Sequence, residues 1–153
     1  KCHEIAIECL NAGVETSKIY QRIYETKPQS SIRLLARVIE NISFENDGEL
    51  AWFSIDQNML DAAEASSKDV DGFTDFIRTI KGVEVAVMVF ENGRDVCRIN
   101  FRSQGKYVIN DIAKHFGGGG HKFAAGAVIK GNKETIVPQV ISQTIASLER
   151  QAA

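Results

Sequence analysis

The chain has 153 residues, 44% of them hydrophobic and 25% charged, with a formal net charge of −2. Those proportions belong to one soluble globular domain, with enough chain to bury a core and to carry a helical appendage. A slightly acidic total excludes chain-wide electrostatic attraction to nucleic acid, so any anion site has to be local.

In chain order, Ile5, Ala6, Cys9 and Leu10 recur at helical spacing, and Asn11-Ala12-Gly13 stops the pattern. Thr16 or Ser17 can cap a second helix through Ile19, Tyr20, Ile23 and Tyr24, ending before Pro28. Ser30 or Ser31 can start a third, with Leu34, Leu35, Val38, Ile39 and Ile42 on its buried face. Plain core packing is the expectation for all three helices, with no catalytic role for His3, Tyr20 or Tyr24. Residues 1–45 therefore read as a helical linker region, and residues 46–153 as the domain proper. The chain opens Lys1-Cys2-His3, without a methionine, directly on an apolar periodic pattern, as expected of a segment cut from a larger protein.

Asn46-Asp47-Gly48 is a turn signal, and Leu50 to Ile55 is a strand apolar enough to be buried on both faces. Asp56 can cap a helix carrying Met59, Leu60 and Ala63, and polar residues 66–71 lead to another with Phe73, Phe76, Ile77 and Ile80, closed by Gly82. Val83 to Phe90 reads as a strand, Glu91-Asn92-Gly93 as a hairpin turn, and Asp95 to Ser103 as the return strand. In that return strand Cys97, Ile99 and Phe101 alternate with Arg98, Asn100 and Arg102, so one face is apolar and the other cationic and amide-bearing. Arg98 reads as a solvated outer-face residue. Arg102 stands at the strand's end beside Ser103, and its rigid fork suits bidentate phosphate binding.

After a loop at 105–108, Asn110 is an N-cap candidate for a short helix, Asp111 to Phe116, ended by Gly117. His115 reads as a surface residue or a partner of the helix dipole. Gly126 to Lys130 reads as a strand and Gly131-Asn132 as a turn. The last helix carries Ile136, Val140, Ile141, Thr144, Ile145 and Leu148, with Pro138 tolerable only in its first turn. The predicted fold class is α/β: a small mixed sheet of about four or five strands flanked by helices, behind the N-terminal helical region. No apolar run reaches the ~18 residues of a membrane helix. Cys2, Cys9 and Cys97 form no ligand spacing, which points to free thiols in a reducing cytoplasm.

The most informative stretch is Gly117-Gly118-Gly119-Gly120-His121-Lys122. Its flanks are apolar, with Ile112, Ala113 and Phe116 before and Ala124 to Ile129 after, so it reads as a rigid loop and not a linker. Consecutive glycine amides can cradle an anion, and His121 and Lys122 add donors at the edge. A P-loop does not fit, because no Gly-Lys-Ser/Thr follows and the run succeeds a helix; a dinucleotide fingerprint fails for the same reason. A Cys97/His121 nucleophile has no acidic orienter.

Gly-Gly-Gly-Gly-His followed by Ala124-Ala125-Gly126-Ala127, with Phe101-Arg102-Ser103 upstream, resembles the C-terminal DHH-associated domain of DHH-family phosphoesterases. The pattern looks most like the stand-alone two-domain enzymes that degrade short RNA and remove phosphate from 3′-phosphoadenosine 5′-phosphate, and it covers roughly Leu50 to Arg150. The resemblance implies that Arg102 and Ser103 contact substrate phosphate, and that Gly117, Gly118, Gly119, Gly120 and His121 complete the phosphate site. It also implies an N-terminal DHH domain, whose Asp and His residues hold Mn²⁺ or Mg²⁺. No Asp-His-His motif stands in this sequence, so the expectation is a substrate-binding half with no catalytic or metal-ligating residue of its own. Short RNA or DNA oligonucleotides or nucleotides are the implied substrates, with a homodimer as a further implied partner and no membrane. A cyclic-dinucleotide phosphodiesterase, a RecJ-like single-strand exonuclease and an alanyl-tRNA synthetase relative share parts of the motif. A non-enzymatic nucleic-acid-binding or dimerisation module also stays open.

Overall fold

Seven helices and six strands run through the computed structural model, which describes all 153 residues. Three helices come first: α1 (Cys2–Asn11), α2 (Thr16–Tyr24) and α3 (Gln29–Glu40). The short β1 (Ser43–Glu45) turns back through a 3-10 turn, Asn46–Gly48, into β2 (Leu50–Ile55). Helices α4 (Gln57–Ala63) and α5 (Phe73–Ile77) cross over to β3 (Val85–Glu91), which returns as β4 (Val96–Ser103). Then α6 (Asn110–His115) leads into β5 (Gly119–His121), β6 (Ala124–Lys130) and the long α7 (Lys133–Ala152).

The strands lie in the order β1-β2-β3-β4-β6-β5. β2 and β3 are parallel, from Leu50 opposite Val85 to Ile55 opposite Phe90, because α4 and α5 carry the chain back across the sheet between them. All other neighbours are antiparallel. The mixed α/β architecture is the one predicted, with six strands in place of four or five. The additions are β1 and β5, three residues each. β5 is Gly-Gly-His, a strand made by pairing and not by propensity.

The central β3 divides two apolar clusters. Val85, Val87 and Val89 meet Ile99, Phe101, Ile112, Val140 and Leu148 beneath α6 and α7. On the other face Ala86, Met88 and Phe90 meet Leu34, Val38, Phe53, Leu60 and Ile77 beneath α3, α4 and α5. α3 packs through Leu34 and Val38 as its periodicity predicts, but Ile39 is exposed and Ile42 lies past the helix end, whereas α1 and α2 bury nothing. Ile5, Ile7, Leu10, Ile23 and Tyr24 are all more than half exposed. A helical repeat specifies an apolar face without specifying what covers it.

Several ends also differ from their predicted chemistry. Glu15 and Pro28 occupy the N-cap positions of α2 and α3, with no side-chain cap bond from Thr16 or Ser30. Ser31 is buried and donates instead to the Asp69 carbonyl at 2.9 Å. Ile109 precedes α6, so Asn110 is its first residue and not its cap. Pro138 sits past the first turn of α7. It is exposed there, as is Glu134 four residues earlier, so water can satisfy the carbonyl that loses its partner.

Asp56 ties the two helical layers together at the sheet's end. Its carboxylate accepts the Met59 N–H at 2.9 Å, capping α4, and pairs with Lys133 at the start of α7. Burial pushes the Asp56 carboxyl up, but the hydrogen bonds from Lys133 and the Met59 amide outweigh it and hold the group below its ordinary value. Burial likewise opposes the Lys133 charge, and Asp56 more than offsets it, so that group titrates above the ordinary lysine value. The aspartate's contribution is therefore present above the ordinary carboxylate pKa and lost as pH falls through the lowered one. The lysine's is complete below the ordinary lysine pKa and lost as pH rises through the raised one. Asp56→Ala is expected to lower stability by about 2 kcal/mol at pH 7, from the lost cap and the broken pair. In urea unfolding, its deficit relative to wild type should shrink at pH 3; a deficit unchanged between the two pH values would contradict the pair.

Candidate nucleotide-phosphate site

β4 builds the site by showing different chemistry to its two sides. Cys97, Ile99, Phe101 and Ser103 are buried, while Val96, Arg98, Asn100 and Arg102 stay partly open. The register carries that second face across the sheet. Arg102 lies opposite Ala124, Asn100 opposite Gly126, and Arg98 opposite Val128. In the last pairing His121 lies opposite Ala124 and Gly119 opposite Gly126. Arg102, Ala124 and His121 therefore form one row across β4, β6 and β5, and Asn100, Gly126 and Gly119 form the next.

The glycine run takes its shape from two contacts. Gly117 leaves α6 at φ 74°, with its N–H on the Lys114 carbonyl and the Gly118 N–H on the Ala113 carbonyl, both at 2.9 Å. This is the paired closure that a left-handed glycine gives a helix C-terminus. Gly118 then presses on β6, where a Cβ would stand 2.1 Å from the Gly126 carbonyl oxygen, and at Gly120 one would stand 2.5 Å from the Ala124 oxygen. Only a missing side chain lets β5 close on β6. Between this hairpin and the open face of β4 lies a cleft of about 400 Å³, lined by Arg98, Asn100, Gly117, Gly118, Gly126 and Val128 among others.

The positions of the expected residues follow. Gly117 and Gly118 line the cleft, but their amides are turned back onto α6, so the expected anion nest does not form from them. Gly119, Gly120 and His121 are strand and not loop. Arg102 and Ser103 are not joint contacts, because the pleat sends them to opposite sides. Ser103 is 1% exposed and its hydroxyl accepts the Gly105 N–H at 3.1 Å. Arg102 Nε donates to both Asp75 carboxylate oxygens, at 3.1 and 3.2 Å, and Nη1 to the Phe101 carbonyl at 3.1 Å. Asp75 also faces Arg78 at 3.5 Å, and so orients Arg102 while leaving the cluster cationic.

Arg98 departs from its solvated reading. It lines the cleft, its guanidinium carbon 5.4 Å from the Phe90 ring centroid, with Asp71 at 3.8 Å. Asn100 and Gly126 also line the cleft and Asp75 holds Arg102, and none of the three is among the expected site residues. The alternation in β4 was the available signal for Asn100; Asp75 comes from a helix whose register carries no such mark. Cys97 faces the core, and burial followed by the Glu91 and Glu134 charges pushes its thiol up, so a Cys97/His121 nucleophile has no support. No three His, Cys, Asp or Glu side chains converge, so the residues present do not fit a divalent cation. No helix is long and apolar enough to cross a membrane.

The DHHA1 domain model matches residues 52–147. The chain is 31% identical over 127 residues to the bifunctional oligoribonuclease and PAP phosphatase NrnA of Thermus thermophilus, a match covering 83% of this chain and 37% of that one. With the protein of the same name from Bacillus subtilis it shares 29% identity over 129 residues, 84% of this chain and 40% of that one. The crystal structure of an exopolyphosphatase-related protein from Bacteroides fragilis is similar at a TM-score of 0.83 and 27% identity, over 97% of this chain and 43% of that one. The chain thus spans about two fifths of the length of each of these relatives.

The close approach of the hairpin separates neighbouring glycines. Gly118→Ala is expected to destabilise by about 3 kcal/mol, since its methyl group meets backbone that cannot move aside cheaply. Gly119→Ala meets nothing within 4 Å and should stay within about 0.5 kcal/mol of wild type. Thermal unfolding of the two variants checks this, and equal shifts would contradict it.

Proposed function

The chain belongs to the DHHA1 domain family, and from that premise we propose that it is the substrate-holding part of a DHH phosphoesterase acting on short oligonucleotides and 3′-phosphoadenosine 5′-phosphate. The observation that carries this reading is the row formed by Arg102, Ala124 and His121 beside an open cleft. A small residue between two donors leaves room for a phosphate that both can reach. Lys122, exposed at the hairpin tip, adds charge nearby. Gly117 to Gly120 act as the wall that fixes the width of the cleft, and Ser103 supports the bend after Arg102. The substrate class comes from the similarity to the two oligoribonuclease and phosphatase relatives.

In this reading residues 46–153 hold the terminal nucleotide, and the helices of residues 1–45 connect them to an N-terminal DHH domain. The carboxylates and imidazoles for Mn²⁺ or Mg²⁺ belong to that domain, as do the hydrolytic steps. This chain's own work is binding and orientation: Arg102, held by Asp75, and His121 fix the phosphate so that the next phosphodiester faces the partner domain.

The chain is expected to bind AMP weakly, with affinity falling as salt rises, because the attraction comes from a few partly exposed charges. Arg102→Ala should remove one charge-assisted contact, roughly 1.5–3 kcal/mol or more than tenfold in affinity. Superimposable calorimetric titrations for wild type and variant would rule the contact out.

Alone, the 153-residue chain is expected to release no mononucleotide from a short RNA in the presence of Mn²⁺, and turnover should require a DHH domain. Robust release by the chain, abolished by His121→Ala, would overturn the division of labour.

A further inference from the structure

Beside the phosphate row the cleft holds a second set of polar groups, whose use rests on the reading that a nucleotide phosphate lies at Arg102. Arg98 and Asn100 share the face of β4 with Arg102, at two-residue steps of about 7 Å. Asn100 lines the cleft with its amide free of any intramolecular hydrogen bond. Gly126 lies opposite it, and a Cβ there would stand 3.6 Å from the Asn100 Oδ1 and 2.8 Å from the Ile99 carbonyl oxygen. The floor is therefore flat because of that glycine.

Arg98 is held in an unusual way. Its guanidinium rests over the Phe90 ring, while Asp71 at 3.8 Å is too far for a hydrogen bond and Nε is buried without a partner. An aromatic face beneath the charge, and not a fork-to-fork ion pair, backs the guanidinium. On the opposite rim Val128 is 66% exposed, an apolar surface with nothing packed on it. A flat floor, an aromatic-backed guanidinium, an amide offering donor and acceptor together, and an apolar rim match a ring with π-faces and a polar edge.

We infer that this end of the cleft is a nucleobase subsite. The base stacks on the Arg98 guanidinium, which Phe90 backs, and its edge exchanges hydrogen bonds with the Asn100 amide. Its own phosphate extends along β4 to Arg102. An amide pairs readily with the adjacent donor and acceptor of adenine, and stacking tolerates any base. The subsite would therefore require a base while discriminating only modestly among them.

Parallel titrations of the chain with AMP and with ribose 5-phosphate, which keeps the phosphate and lacks the base, test the subsite. Wild type is expected to hold AMP roughly tenfold more tightly. Arg98→Lys keeps the charge and removes the planar group, so it should abolish most of that preference by weakening AMP far more than ribose 5-phosphate. A wild type indifferent to the base, or an Arg98→Lys chain that keeps the preference, overturns the subsite. The phosphate reading survives either result if Arg102→Ala still weakens both ligands; if wild type binds neither ligand, both readings fall. Wild-type chain also serves without substitution. Bound AMP should give intermolecular nuclear Overhauser contacts from adenine ring protons to the Val128 methyl groups and the Arg98 side chain, and AMP bound without them contradicts the assignment.

Discussion

The contact of one backbone on another, Gly118 against Gly126 and Ala127, is the constraint on which the rest of the site depends. With 2.1 Å between an ideal Cβ and the Gly126 oxygen, no side chain fits at Gly118 without moving a strand. The approach is possible only because Gly117 first turns the chain sharply out of α6, its φ of 74° disfavouring any residue with a Cβ. Once the hairpin is seated, β6 has to be made of small residues, and Ala124, Ala125, Gly126 and Ala127 supply them. That low strand leaves β4's polar face open, which a strand of larger side chains would cover. The glycines thus create the cleft by what they lack more than by what their amides donate.

The second constraint is electrostatic. Arg98, Asn100 and Arg102 stand on a half-buried sheet face beside Phe90, Met88 and Ala86, where unpaired charges are costly. The arginines are settled by their neighbours: Asp75 and the Phe101 carbonyl for Arg102, and the Phe90 ring with a more distant Asp71 for Arg98. Neither carboxylate lies in the cleft itself, so the charge that remains is presented to an incoming anion. Ile99 and Phe101, on the reverse face, lock β4 into the larger core and keep the guanidiniums from following a ligand.

Much of this was legible in the residues. The long apolar runs of β2 and β3, the two-sided pattern of β4, the Asp56 cap and the Gly117 stop all depend on local chemistry, and all appear. β1 and β5 were not legible, being three residues each and held by a neighbour's hydrogen bonds and not by their own preferences. The amphipathic pattern of α1 and α2 was real, yet their apolar faces lie open. For Arg98, alternation alone cannot separate a solvated face from a cleft, because the difference lies in which strand pairs beyond it. Sequence order also suggested that Arg102 and Ser103 act together, where the pleat of the strand divides them.

The central claim is that the open face of β4 and the glycine hairpin form one nucleotide-binding surface. A map of backbone amide chemical-shift changes on titrating the chain with AMP tests it most directly. The account predicts changes concentrated in residues 98–103, 117–121 and 124–128, saturating together with one affinity. Changes confined to α1 and α2, or none in the hairpin at saturating nucleotide, would contradict it.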